Sequence, residues 1–314
     1  MQQKRTFKEV ADEWLLIQSV KQKASTLLKY TNIVNNHLLP YFNNVDVREI
    51  NEKQFVDFVN EKIMVGNLKN NTSLSPSYIK TIIIIFNSIM EYATDMNYCE
   101  ILKLNCVLCP SIPKRPINVL DIESQAKLIK YISRNISHTG VAIALALYAG
   151  LRIGEICALR WDDINMKKMY ININHTVARV LCNQEDAVTK LILDTPKTSN
   201  SIRVVPINSK LLQMLKMMYL QSTSAYVASS TNTFISPRTL EYRYHKILKK
   251  CEILPINFHG LRHTFATRCV EAGVDVKTLS EILGHSNVNF TLNVYVHSSI
   301  EQKIIQIEKL TLYE

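Results

Sequence analysis

Three prolines fall within seven residues of the segment Cys109-Pro110-Ser111-Ile112-Pro113-Lys114-Arg115-Pro116, and they set the first limit on how this chain can fold. Proline has no amide hydrogen to give a helix and pushes the residue before it towards extended backbone, so no helix runs through this stretch. Lys114 and Arg115 add charge, which favours an exposed connector. We therefore expect one domain over residues 1–108, a connector over 109–119 and a second domain over 120–314. The 314 residues, 47% of them apolar, suffice for two packed cores.

Before the connector the signals are helical. Thr6 and Glu9 form a capping box, and Phe7, Val10, Trp14 and Leu15 follow at helical spacing, so the first helix starts close to the N-terminus. Further helices are predicted over 26–38, 51–62 and 76–96, the last with Ser75 as cap and Pro76 at the first helical position. Beyond the connector, helices fit Asp121 to about Ser133 and Gly140–Ala149. Short strands then fit 169–173, 178–181, 191–194 and 202–207, with Lys197–Asn200 as the polar turn of a hairpin between the last two. Helices return at 208–219, 237–250, 259–272 and 276–283, the last two ended by Gly273 and Gly284. The expected class is mainly α with a small antiparallel β-sheet: an all-helical first domain and an α+β second domain.

Charge narrows the partner. Residues 1–110 hold 12 Lys and Arg against 11 Asp and Glu, and the remainder holds 25 against 16, so +9 of the formal +10 lies in the second part. Such an excess favours a polyanion, nucleic acid or an acidic membrane surface. The longest apolar runs, Thr81–Phe86 and Val141–Leu151, fall well short of the roughly 20 residues that span a bilayer. Met1–Arg5 runs straight into a charged helix with no apolar signal region, so a cytoplasmic, nucleoid-associated protein is expected. Seven scattered cysteines read as reduced thiols, and the lone Cys106/Cys109 pair lacks the second pair that a structural zinc site needs.

Four places carry residues suited to chemistry on phosphate. His259 and Arg262 stand three apart at the start of a predicted helix, either as incidental surface residues or as a phosphate clamp. Arg152 and Glu155 interrupt an apolar segment, so Arg152 either pairs with Glu155 structurally or is held by it to face an anion. His285 follows the helix-ending Gly284 and faces a cleft or solvent. Tyr295, flanked by Val294 and Val296, would be a core aromatic if taken alone.

Taken together, Gly150–Arg160, Thr195–Ile207 and His259–Tyr295 resemble, in order and spacing, the catalytic signature of the tyrosine recombinases, the phage integrase family. The resemblance implies a SAM-like helical core-binding domain and a mixed catalytic domain closing as a C-shaped clamp on duplex DNA. It makes Arg152 and Arg262 the pair on the non-bridging oxygens of the scissile phosphate. Lys197 becomes the mobile acid for the departing 5'-oxygen, and His259 a proton carrier for the tyrosine. His285 becomes a hydrogen-bond donor to the phosphate, Glu155 a brace, and Tyr295 the nucleophile that forms a 3'-phosphotyrosyl bond. No cofactor and no metal are implied, because cationic side chains take the metal's place. The implied partners are double-stranded DNA with inverted-repeat core sites and further copies of the chain. These would form a homotetramer through exchange of a tail helix over 299–312, although the apolar pattern of that helix also allows it to pack back on its own core, and no membrane is involved. A first helix starting near Thr6 leaves no room before it for the arm-binding domain that many integrases carry, so either the chain acts on simple core sites or it begins at a truncation or is a short natural variant. Two rivals remain: a catalytically silent DNA-binding protein of the same fold, and a relaxing enzyme akin to type IB topoisomerases.

Overall fold

The computed structural model describes residues 4–68, 70, 72–102, 118–182, 189–196, 199–285, 304 and 308. The chain forms two compact units, Met1–Arg115 with Arg179–Lys190, and Pro116–Ala178 with Leu191–Glu314. Most of the expected connector, together with Cys106 and Cys109, lies outside the described residues.

The first unit is built on α1 (Phe7–Lys21), α2 (Ala24–Ile33), α3 (Leu39–Phe42), α4 (Glu52–Val65) and α5 (Pro76–Asp95). Local chemistry sets the starts. Glu9 N donates to Thr6 Oγ1 while Thr6 N donates to Glu9 Oε2, and Asn51 with Gln54 repeats the device before α4. Where one helix over 26–38 is expected, α2 passes instead through a π turn, Val34–Leu38, into α3. The cause is Pro40, which cannot donate to the carbonyl four residues back and crowds it, so the ladder shifts and Leu39 N bonds to Val34 O. Five buried phenylalanines, Phe7, Phe42, Phe55, Phe58 and Phe86, fill the centre of this unit, with the Phe55 and Phe86 rings stacked at 3.9 Å.

The second unit opens with α6 (Ile122–Arg134) and α7 (His138–Ala149), continues through α8 (Ile153–Ala158), and ends with α9 (Ser209–Gln221), α10 (Pro237–Lys250), α11 (His259–Glu271) and α12 (Val276–Leu283). Helix α7 is apolar on every side, and all its residues from Thr139 to Leu147 are buried. A helix of that kind belongs at the centre of a core, and α6, α8, α9, α10 and α11 all pack on it.

Between α8 and α9 lie β1 (Ile164–Asn165), β2 (Tyr170–Ile173), β3 (Thr176–Leu181), β4 (Thr189–Asp194) and β5 (Arg203–Pro206). They form two antiparallel pieces, β1-β2-β5 and a β3-β4 ribbon. The hairpin expected between the last two strands does not form, since β4 pairs with β3 and β5 with β2. The reason is burial: β5 sets Val205 opposite Ile171, both fully buried, whereas β4 has no fully buried residue to bring there. No helix among the described residues is long and apolar enough to cross a membrane.

Candidate active site

Helix α7 ends at Gly150, whose φ of 64° is left-handed. A side chain there would be strained and would meet the Phe265 ring at 2.5 Å, so only glycine turns the chain so tightly. The turn launches α8 with Arg152 as the residue before its first turn and Glu155 three positions on. Glu155 is buried, 3% exposed, and its carboxylate accepts four hydrogen bonds. Arg152 supplies two, Nη1 to Oε1 at 2.7 Å and backbone N to Oε2 at 2.9 Å. Arg203 of β5 supplies the others, Nη1 to Oε1 at 2.9 Å and Nη2 to Oε2 at 3.0 Å. An ionised carboxylate offers about four acceptor positions, so this group is saturated by its two arginines. Burial by itself would raise its pKa, but the hydrogen bonds and charge of Arg203, with the charge of Arg152, outweigh that and hold it below the ordinary carboxylate value.

Arg262, three residues into α11, is 1% exposed. It donates Nη1 to Gly150 O at 2.6 Å and Nη2 to Leu283 O at 2.7 Å, and Nη2 also lies 2.9 Å from His285 Nε2. Because a guanidinium can only donate, Nε2 is the acceptor and the neutral ring carries its proton on Nδ1.

The end of α12 ties these pieces together. The carbonyls of Ile282, Leu283 and Gly284 each accept from a different arginine: Arg203 Nε at 2.6 Å, Arg262 Nη2 at 2.7 Å and Arg152 Nη2 at 2.9 Å. Carbonyls in the last turn of a helix have no partner within it and lie at its negative pole, so cations suit them doubly. Gly284, again left-handed with φ 64°, permits this: a Cβ there would lie 2.9 Å from Arg203 Cδ.

The histidines are held neutral. His259, at the start of α11, is exposed, but partial desolvation, competition with His263 for a proton and the charges of Arg262 and Arg152 push it down to about 4. His285 is half-buried, and desolvation followed by Arg262, Arg152 and Arg203 pushes it to about 3. The His263 ring stands edge-on to His259 at 4.6 Å, and desolvation and Arg262 lower it as well. All three rings are lowered from the ordinary 6.5, so the unfolded chain takes up protons that the folded one refuses. Stability contributed by these rings is complete above pH 6.5 and declines as pH falls towards 4. NMR titration of the imidazole carbons is expected to show His259 and His285 still neutral at pH values where free histidine is half-protonated; an ordinary midpoint for either would contradict this.

Arg152, Glu155, His259, Arg262 and His285 are thus assembled in one unit around the α12 terminus, while Lys197 and Tyr295 lie outside the described residues. Arg152 is paired with Glu155 and keeps a third of its side chain exposed. Sequence reasoning assigned no role to Arg203. The signal was its alternation with Val205, which puts an arginine on the inward face of an apolar strand, where a charge requires a partner.

Residues 118–302 match the phage integrase family, and residues 6–63 match the SAM-like N-terminal domain of phage integrases. A tyrosine recombinase XerC-like protein of Caldanaerobacter subterraneus subsp. tengcongensis is 29% identical over 97% of this chain and 82% of its own length. Among solved structures, the Tn1549 transposon integrase in complex with circular intermediate DNA superposes with a TM-score of 0.78 at 19% identity, covering 97% of this chain and 99% of that one. A lambda integrase tetramer bound to a Holliday junction gives 0.69 at 16% identity over 95% and 80%. At these identities the structural likeness is one of fold.

Proposed function

The chain belongs to the phage integrase family, and from that premise we propose that the cluster at the end of α12 is the strand-cleavage site of a site-specific DNA recombinase, with Tyr295 as its nucleophile. Tyrosine recombinases cut and rejoin DNA. The observation that carries the site assignment is the convergence of three guanidinium groups on one helix terminus with a single carboxylate among them. With the histidines neutral, that cluster carries a surplus of two positive charges, suited to an anion whose charge grows in the transition state.

In this reading the Tyr295 oxygen bonds to the scissile phosphorus while its proton passes to neutral His259. The bond from phosphorus to the 5'-oxygen breaks, and Lys197 protonates the departing oxygen. The phosphodiester becomes a 3'-phosphotyrosyl ester, and a 5'-hydroxyl from another strand reverses the step without ATP. Arg152, partly exposed, meets the phosphate first. A phosphate oxygen then replaces His285 Nε2 as acceptor for Arg262, and His285 turns to donate to the phosphate. No cofactor or metal enters the scheme.

The charge of the chain and the DNA named with the Tn1549 and lambda integrase structures support DNA as the partner; that it is a duplex with inverted-repeat core sites follows from the resemblance to tyrosine recombinases alone. The lambda tetramer supports four copies acting together, and our proposal is that the 299–312 tail joins them by docking on a neighbouring copy. Deleting residues 299–314 is expected to abolish assembly on DNA in gel-shift and light-scattering measurements; assembly of the shortened chain would refute the docking.

The deciding experiment is incubation with a nicked suicide duplex, in which the cut strand end diffuses away and traps the enzyme. A covalent adduct is expected, followed by joined products when two partner sites are supplied. Binding without an adduct would favour a silent DNA-binding protein, and adduct with relaxation but no joined partner sites would favour a topoisomerase. Because each neutralised phosphate releases counterions, affinity should fall roughly 10³-fold between about 50 and 200 mM salt. An affinity indifferent to salt in a titration by fluorescence anisotropy would contradict backbone binding.

A further inference from the structure

We infer that Arg203 is a positioning residue of the strand-cleavage site, holding Arg152 in place through both of that residue's supports while touching no DNA itself. The inference rests on the reading of the α12 cluster as that site.

Arg152 has two acceptors for its guanidinium, Glu155 Oε1 and Gly284 O. Arg203 braces each. Its fork closes on the Glu155 carboxylate at 2.9 and 3.0 Å, and its Nε holds the Ile282 carbonyl at 2.6 Å, two residues before Gly284. A further bond from Nη1 to Ser201 O at 3.1 Å fixes the fork to the backbone just before its own strand. The side chain is 6% exposed and these donors all point at protein acceptors, so it is poorly placed to receive a phosphate from solvent. Arg152, by contrast, is a third exposed. The two arginines divide the work: one faces the ligand and the other locks the carboxylate that aims it.

A planar fork is what the arrangement uses. A lysine would keep the charge, but one ammonium cannot span both carboxylate oxygens and the Ile282 carbonyl. Loss of the fork frees Glu155 to rotate and Arg152 to follow. It also removes the largest favourable influence on a buried carboxyl, leaving desolvation opposed by Arg152, with His259 also within electrostatic reach.

Single-turnover adduct formation on the suicide duplex, measured against pH for wild type, Arg203→Lys, Arg203→Gln and the Arg203→Gln/Glu155→Gln double variant, tests this. Arg203→Lys is expected to cleave about 10- to 100-fold more slowly, as a displaced positioning group does, while DNA affinity stays within about threefold. Arg203→Gln is expected to gain a rate that rises with pH as Glu155 titrates, and the double variant to lose that rise. A merely structural arginine would lower the amount of folded protein, followed by circular dichroism, without adding a pH-dependent limb that Glu155→Gln removes. If Arg203→Gln does not fold, Arg203→Lys carries the comparison. Wild-type rate in Arg203→Lys, or an unchanged pH profile in Arg203→Gln, overturns the assignment of Arg203 alone. Absence of adduct from the wild type overturns the underlying reading and this inference with it.

Discussion

Replacing Tyr295 with phenylalanine is expected to eliminate the covalent protein–DNA adduct, a loss of at least about 10³-fold in strand cleavage, while the protein still binds and shifts the same duplex. The change removes one oxygen. Every other group assigned to the site, Arg152, Lys197, His259, Arg262 and His285, stays in the chain, so phosphate binding and charge stabilisation persist without anything to attack phosphorus. The effect is therefore nearly all or none and separates nucleophile from binding. Denaturing gel electrophoresis of the suicide-duplex reaction reads it directly. Adduct formation by Tyr295→Phe at a rate near that of the wild type would assign the nucleophile elsewhere.

Replacing Glu155 with glutamine is expected to destabilise the second unit by about 3–5 kcal/mol, the cost of stripping a buried charge of its partner. Arg203, 6% exposed, and Arg152 would then face each other with no negative group between them. For a unit of roughly 150–250 residues this lowers the melting temperature by about 6–20 °C, readable by differential scanning calorimetry. The sign of the pH dependence follows from the depressed carboxyl. Glu155 titrates lower in the folded chain than in the unfolded one, so its contribution is complete above the ordinary carboxylate range and is lost as pH falls through that range and below. Wild type and Glu155→Gln should accordingly differ most near neutrality and converge in acid. An equal difference at all pH values would mean that the carboxylate is not the source.

Which parts of this architecture can be read from the chain depends on the range of the forces involved. Helix starts are local: Thr6 with Glu9, and Ser75 with Pro76, declare themselves within four residues, and α1 and α5 begin there. Gly284 ends α12 for an equally local reason, since its φ is one that other residues avoid. Strand pairing is not local. Nothing within Lys197–Asn200 states that β5 leaves β4 for β2, because the deciding contact, Val205 against Ile171, spans more than thirty residues. The π turn at Val34–Leu38 follows from Pro40, a signal present in the sequence but easily merged into one longer helix. The candidate site divides along the same line. His259 and Arg262 stand out as a spaced pair, and the resemblance to tyrosine recombinases supplied their proposed roles. Arg203 required coordinates, since its worth comes from Glu155, forty-eight positions away, and from Ile282, seventy-nine away.

The carbonyls of Ile282 and Leu283 point in directions fixed by helical geometry, about 100° apart, and that of Gly284 by the left-handed turn that closes the helix. Inserting or deleting one residue within Val276–Leu283 would rotate the whole terminus by that angle and swing all three acceptors off their arginines together. Length variation in that helix is thereby closed to this chain, whereas the turn at Gly273, where an added Cβ would meet nothing within 4 Å, has room to absorb it. The terminus works as a keyed joint: a single part whose angular setting fits three counterparts at once, so that drift in any one of them is checked by the other two.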